Sequence, residues 1–203
     1  MDRKGLVESL KEKGFSKQIV SAFSKVKREN FVPKNLKDMA YEDTSLPIGK
    51  GQTISQPYTI ALMLSLLELK KGQKVLEVGS GCGYVLALLS EITGKDGKIF
   101  GVEIIPELAA KSRENLKGFK NISAHAGNGK LGIPKEAPFD RIMISAGYKE
   151  IPRLLIEQLK EKGIIVAPIG IKYGQSLVPY KKVNSGLELK KEIPGFIFVP
   201  LID

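Results

Sequence analysis

The chain contains no tryptophan, one cysteine (Cys82) and one histidine (His125). A lone cysteine excludes an internal disulfide framework. A single His and a single Cys cannot build a metal centre without recruiting many carboxylates, so no metal is expected. No apolar run approaches the roughly 20 residues that span a bilayer. The stretch Met1-Asp2-Arg3-Lys4-Gly5-Leu6-Val7-Glu8 lacks the apolar core of a secretory signal. There is no internal repeat and no low-complexity linker. Together these absences point to a cytoplasmic protein that does not engage a membrane.

What is present suits one folded domain. The chain has 203 residues, 42% of them hydrophobic, which supports a substantial core and argues against global disorder. The formal net charge is +10. Such a balance fits nucleic-acid binding. It also fits a solvated Lys/Glu surface of the kind common in thermophile proteins. The lysines are scattered, and many have a glutamate beside them, as in Lys11-Glu12-Lys13 and Lys160-Glu161-Lys162. The second reading is therefore preferred, and an RNA substrate is kept as the alternative.

Apolar spacing predicts helices over 2–29, broken near Gly14, and a loop over 34–54. Ser55-Gln56-Pro57 reads as a helix start, with Ser as N-cap and Pro in the first turn. From Lys74 the pattern alternates. Strands are expected at 74–78, 98–103, 122–125, 139–144 and 164–167, with helices at 83–93, from Pro106, and at 151–160. Such alternation means a doubly wound, mostly parallel α/β sheet covered by helices on both faces. Strand candidates at 176–183, 187–193 and 196–199, with no long helix between them, suggest antiparallel additions at one edge. The expected organisation is one domain: an N-terminal extension (1–54), an α/β core (55–170) and C-terminal strands (171–203).

The chemistry concentrates at Val75-Leu76-Glu77-Val78-Gly79-Ser80-Gly81-Cys82-Gly83-Tyr84. Three alternating glycines follow a strand and open a helix. Such a turn needs positive φ angles and lets ligand atoms approach bare backbone. Glu103 ends the next strand, placed to accept hydrogen bonds from ribose hydroxyls. A dinucleotide fingerprint wants Gly or Ala where this chain has Tyr84. The loop instead reads G-x-G-x-G, which resembles S-adenosylmethionine-dependent methyltransferases of the Rossmann-like class I type. A ligand-free glycine turn is the plain alternative for the loop alone. Ligands bind such sheets at the carboxyl ends of the strands. Here those ends are Glu77 to Gly83, Glu103-Ile104, Gly127-Asn128-Gly129 and Ser145-Ala146-Gly147. Asn128 is placed to reach an adenine, or is simply an Asn-Gly turn residue. His125 and Cys82 read as structural residues.

Further segments carry a more specific resemblance. Arg28-Glu29-Asn30-Phe31-Val32-Pro33, Ala40-Tyr41-Glu42-Asp43, Leu46-Pro47-Ile48-Gly49, Gly51-Gln52-Thr53-Ile54-Ser55-Gln56-Pro57, Pro138-Phe139-Asp140, Val166-Ala167-Pro168-Ile169-Gly170 and Phe198-Val199-Pro200-Leu201 are similar to the protein-L-isoaspartate O-methyltransferase family. The similarity runs from about Arg28 to the C-terminus. It implies methyl transfer from S-adenosyl-L-methionine to the carboxylate of L-isoaspartyl residues in damaged proteins, with D-aspartyl as a second candidate. The ester then cyclises to a succinimide. The expected partners are isoaspartyl proteins and peptides, without stable nucleic acid, and the expected state is a monomer. The resemblance maps the substrate-contacting serine onto Ser55. It maps cofactor contacts onto Thr53, Ile54, Gln56, Glu77, Gly79, Ser80, Gly81, Gly83, Glu103, Ile104, Gly127, Asn128 and Gln175. Three segments depart from the family pattern: Asn128 replaces an Asp, Ser145-Ala146-Gly147 replaces Thr-Ala-Ala, and Cys82 replaces Ser or Thr. These departures keep a diverged, non-catalytic cofactor binder as a further alternative.

Overall fold

The computed structural model describes residues 1–171 and 174–202. Two short helices come first, α1 (Arg3–Glu12) and α2 (Lys17–Lys25), capped by Asp2 and Ser16 and separated by Gly14 in the left-handed region. Leu6, Leu10, Ile19 and Phe23 are buried in the same apolar cluster as the helices of the α/β core. The N-terminal extension therefore packs onto the core rather than standing beside it.

The segment expected to be a loop, 34–54, has more order than its sequence suggested. It contains a 3₁₀ stretch, Lys34–Met39, and a hairpin of β1 (Leu46–Gly49) and β2 (Gln52–Ile54). These strands are too short for apolar alternation to show. Their turn is carried by Gly49, Lys50 and Gly51, all with positive φ. Helix α3 (Pro57–Leu66) follows.

The core then alternates: β3 (Lys74–Val78), α4 (Tyr84–Thr93), β4 (Lys98–Glu103), α5 (Pro106–Asn115), β5 (Ile122–Ala126), β6 (Phe139–Ile144), α6 (Arg153–Gln158) and β7 (Leu159–Ile171). The chain ends in β8 (Gly174–Val183), β9 (Gly186–Leu189) and β10 (Ile193–Phe196). Across the sheet the order is β10-β8-β7-β6-β3-β4-β5, with β9 also pairing β8. The pairs from β7 to β5 are parallel, and the C-terminal strands are antiparallel.

Strand order reverses between β3 and β6, which opens a crevice at their carboxyl ends. The two-residue period sends Val75 to the apolar cluster on one face and Leu76 and Val78 to the cluster on the other. Several boundaries differ from expectation: the strand expected at 187–193 spans Gly186–Leu189, and the one expected at 196–199 spans Ile193–Phe196, where Ile193 and Phe196 pair with β8. Helix α6 stops at Gln158, because Leu159 pairs with Phe139 and the backbone turns at Lys162 with φ +62°. Strand pairing there overrides the helical propensity of Lys160-Glu161-Lys162.

Candidate active site

Beyond Val78 the chain must turn sharply into α4. Gly79, Gly81 and Gly83 all take positive φ, 79°, 50° and 86°, a region that costs side-chain-bearing residues energy. Gly83 is also the tight contact. A Cβ there would sit 2.5 Å from Ser112 Oγ and 2.8 Å from Leu116 Cδ1. Tyr84, next in sequence, is buried among Phe23 and Phe31, with edge-on ring contacts at 6.2 and 5.3 Å. That environment accommodates a large ring at the position where a dinucleotide loop needs a small residue.

Glu103 braces this loop. Its two carboxylate oxygens accept from Gly81 N at 2.8 Å and Ile105 N at 2.9 Å. An ionised carboxylate offers about four acceptor sites, so capacity remains for ligand hydroxyls. Glu77, at the end of β3, is placed differently. Ser145 Oγ donates to its Oε1 at 2.7 Å, while Oε2 is buried without a partner. Burial raises its pKa to about 8, and the nearby Glu103 adds to the rise, while the Ser145 bond opposes it. Ser80 Oγ is a second buried polar atom without a partner. Buried polar atoms are normally satisfied, and orphans call for an explanation. Both belong to one compartment of the cleft.

The cleft at the switch point has three compartments. The first, with about 530 Å³ of empty volume, is lined by Thr53, Gly79, Gly81, Glu103, Ile104 and the C-terminal Val199–Ile202. The second holds Ile54, Ser55, Glu77, Ser80 and Cys82. The third holds Asp43, Thr44, Ser55, Gln56 and the 195–199 segment. Thr53 and Ser145 line all three, and Ser55 lies where the second meets the third.

Ser55 is not the N-cap expected from its neighbours. Gln56 occupies that position, and the N–H of Tyr58 donates instead to Asp43 Oδ1 at 2.8 Å. With Asp43 doing the capping, the Ser55 hydroxyl makes no hydrogen bond among the described residues and lines the cleft. The local signal could not reveal this, because the capping carboxylate comes from 15 residues earlier in the chain.

Most of the predicted site residues converge here: Thr53, Ile54, Ser55, Gln56, Glu77, Gly79, Ser80, Gly81, Glu103 and Ile104 all line the cleft. Gly83 stands just behind the lining, as the N-cap of α4. Gly127 and Asn128 lie off it. The N–H of Gly127 donates to the Glu103 carbonyl, and Asn128 Oδ1 accepts from Lys130 N. Gln175 is also apart. Its side chain is buried and engages both backbone groups of Phe198, accepting from N at 2.8 Å and donating to O at 3.4 Å.

The sequence places Ser145 at a strand end where ligands bind but assigns it no contact, and the structure gives it one, the donation to Glu77. Sequence reasoning passed over Val199–Ile202 and Asp43, for which no local signal exists. Cys82 is buried and its thiol pKa is pushed up to about 11, which leaves it unreactive. His125 is exposed beside Phe100. Among the described residues no cluster suited to a metal ion occurs.

Comparison with known proteins agrees with this geometry. The family model for protein-L-isoaspartate(D-aspartate) O-methyltransferase matches residues 1–203. A protein-L-isoaspartate O-methyltransferase of Methanothrix thermoacetophila is 46% identical over 204 residues, covering 100% of this chain and 95% of that protein. Among solved structures, a protein-L-isoaspartate O-methyltransferase superposes with a TM-score of 0.89 at 32% identity, over 98% of this chain; the chain spans 65% of that one. A Plasmodium falciparum structure described by the same activity, in complex with S-adenosyl-L-homocysteine, gives a TM-score of 0.86 at 28% identity, over 100% of this chain and 99% of its own. The chain belongs to the protein-L-isoaspartate(D-aspartate) O-methyltransferase family.

Proposed function

We infer that the protein methylates the side-chain carboxylate of L-isoaspartyl residues in damaged proteins, using S-adenosylmethionine, and so starts their repair. Family membership over the whole chain carries this reading. The RNA methyltransferase alternative is not favoured by it. No helix among the described residues is long and apolar enough to cross a membrane.

The residues present fit the cofactor. Two orphaned polar atoms, Glu77 Oε2 and Ser80 Oγ, belong to residues that line one compartment and suit the donors and acceptors of an amino-acid moiety. Glu103, with acceptor capacity left, suits the ribose. The bound cofactor supplies an electrophilic methyl group on a sulfonium. A substrate carboxylate is already ionised at neutral pH, so no residue is needed as general base. What the protein must provide is alignment and exclusion of water.

We assign the alignment to Ser55. The residue lies between the compartment of Glu77 and the wider third compartment, and its hydroxyl makes no hydrogen bond among the described residues. A hydroxyl donates to one carboxylate oxygen and leaves the other to attack. The test is methyl incorporation into an isoaspartyl peptide against its aspartyl twin. Labelling of the first alone is expected; equal labelling of both would refute the reading. Ser55→Ala is expected to lower transfer about 100-fold, as for loss of one preorganised donor, with cofactor affinity unchanged.

A further inference from the structure

Among the described residues Arg28 is the largest fully buried side chain, with no exposed surface. A buried charge is costly unless it is held by hydrogen bonds or a partner. Among the described residues no carboxylate lies within ion-pair distance of Arg28. Burial lowers its pKa, and Tyr84, Cys82 and Asp43 oppose that fall. Its partners are instead two backbone carbonyls and a ring. Nη1 donates to the Ser55 carbonyl at 2.8 Å, and Nη2 to the Thr44 carbonyl at 3.1 Å. Its Cζ lies 5.4 Å from the centre of the Tyr84 ring.

These three contacts are not equivalent pieces of packing. Thr44 precedes β1 and Ser55 follows β2, so one planar fork closes the base of the hairpin. Tyr84 is the first residue of α4, directly after the glycine loop. The Arg28 guanidinium thus joins the Ser55 peptide to the element that carries the glycine loop. The Ser55 hydroxyl, by contrast, is fixed by no hydrogen bond among the described residues.

We propose that Arg28 is a positioning residue for methyl transfer: it holds the Ser55 peptide against the start of α4, and so presents the Ser55 hydroxyl to the substrate carboxylate. The proposal rests on the activity and the Ser55 role inferred above. It also gives the N-terminal extension a task, since Arg28 reaches the site from a short 3₁₀ turn (Arg28–Asn30) just beyond α2. Lysine keeps the charge but lacks the fork, so it cannot bridge both carbonyls in the same way.

The experiment compares wild type, Arg28→Lys, Ser55→Ala and the double variant. It reads kcat and KM on an isoaspartyl peptide, S-adenosylhomocysteine affinity by calorimetry, and melting temperature. Arg28→Lys is expected to lower kcat about 10- to 100-fold, the scale of a misplacement of about 1 Å, while the calorimetric affinity stays within about threefold. In the Ser55→Ala background the same change is expected to cost little more, because the two residues act as one unit. A wild-type kcat in Arg28→Lys overturns the proposal, and so does an equal loss with and without Ser55. An inactive wild type, or an unimpaired Ser55→Ala, overturns the underlying reading instead. If Arg28→Lys does not fold, Tyr84→Leu is assayed by the same criteria, since it removes the ring and keeps the fork.

Discussion

Glu77 and Glu103 occupy matching places, at the carboxyl ends of neighbouring parallel strands, and both are nearly inaccessible, at 1% and 6% exposure. They differ in their hydrogen bonds. Glu103 accepts two backbone N–H bonds and serves as a brace for the glycine loop. Glu77 accepts one bond from a serine and keeps an orphaned oxygen, and its pKa is raised to about 8. Burial alone does not assign a role to an acid. The number and type of donors facing it do, because they decide how much of the desolvation cost is offset.

The largest expected effect comes from Glu77. Its folded pKa of about 8 lies above the ordinary carboxylate value of about 4.5. Between those limits the folded protein holds a proton that the unfolded chain has lost, so stability falls as pH rises. The slope from this group is about 1.4 kcal/mol per pH unit. Urea denaturation of the cofactor-free protein from pH 5 to 8 should show that Glu77→Gln removes this component. Parallel curves for variant and wild type would erase the distinction between the two acids.

The next effect is at Glu103. Glu103→Ala strands the N–H groups of Gly81 and Ile105. Bonds to a charged acceptor contribute roughly 1.5–3 kcal/mol each, so at least about 3 kcal/mol of stability is expected to go, and cofactor affinity with it. Calorimetric affinity equal to wild type would show that Glu103 does not brace the loop.

The smallest effect sharpens the comparison. Ser145→Ala removes the one donor to Glu77, which costs about 1 kcal/mol and drives the Glu77 pKa further up, since that bond opposes the rise. The stability decline in the denaturation series should then extend to higher pH. A window that does not move would mean that Ser145 plays no part in setting it.

Legibility followed the range of the interactions involved. The glycine loop and the ends of β3 and β4 were readable because alternating apolar residues, positive-φ glycines and a strand-end acid are all local signals. Ser55 was read as an N-cap because its three-residue neighbourhood says so, and Asp43 supersedes it from a distant part of the chain. The β1–β2 hairpin was missed because strands of four and three residues show no period. Gln175 was assigned to the cofactor by resemblance, whereas its amide is engaged with Phe198. Arg28 carries no functional signal in the sequence, since a charged residue reads as surface until its surroundings are known.

Sequence alone determined the alternation of strands and helices and the glycine turn, because these follow from short-range periodicity and backbone sterics, while the class of ligand followed from resemblance. Tertiary structure decided which of two buried acids keeps an open oxygen, which residue caps α3 and where Arg28 sends its fork. Those outcomes depend on donors and acceptors that meet only after the chain has folded, and no spacing along the sequence encodes their distances.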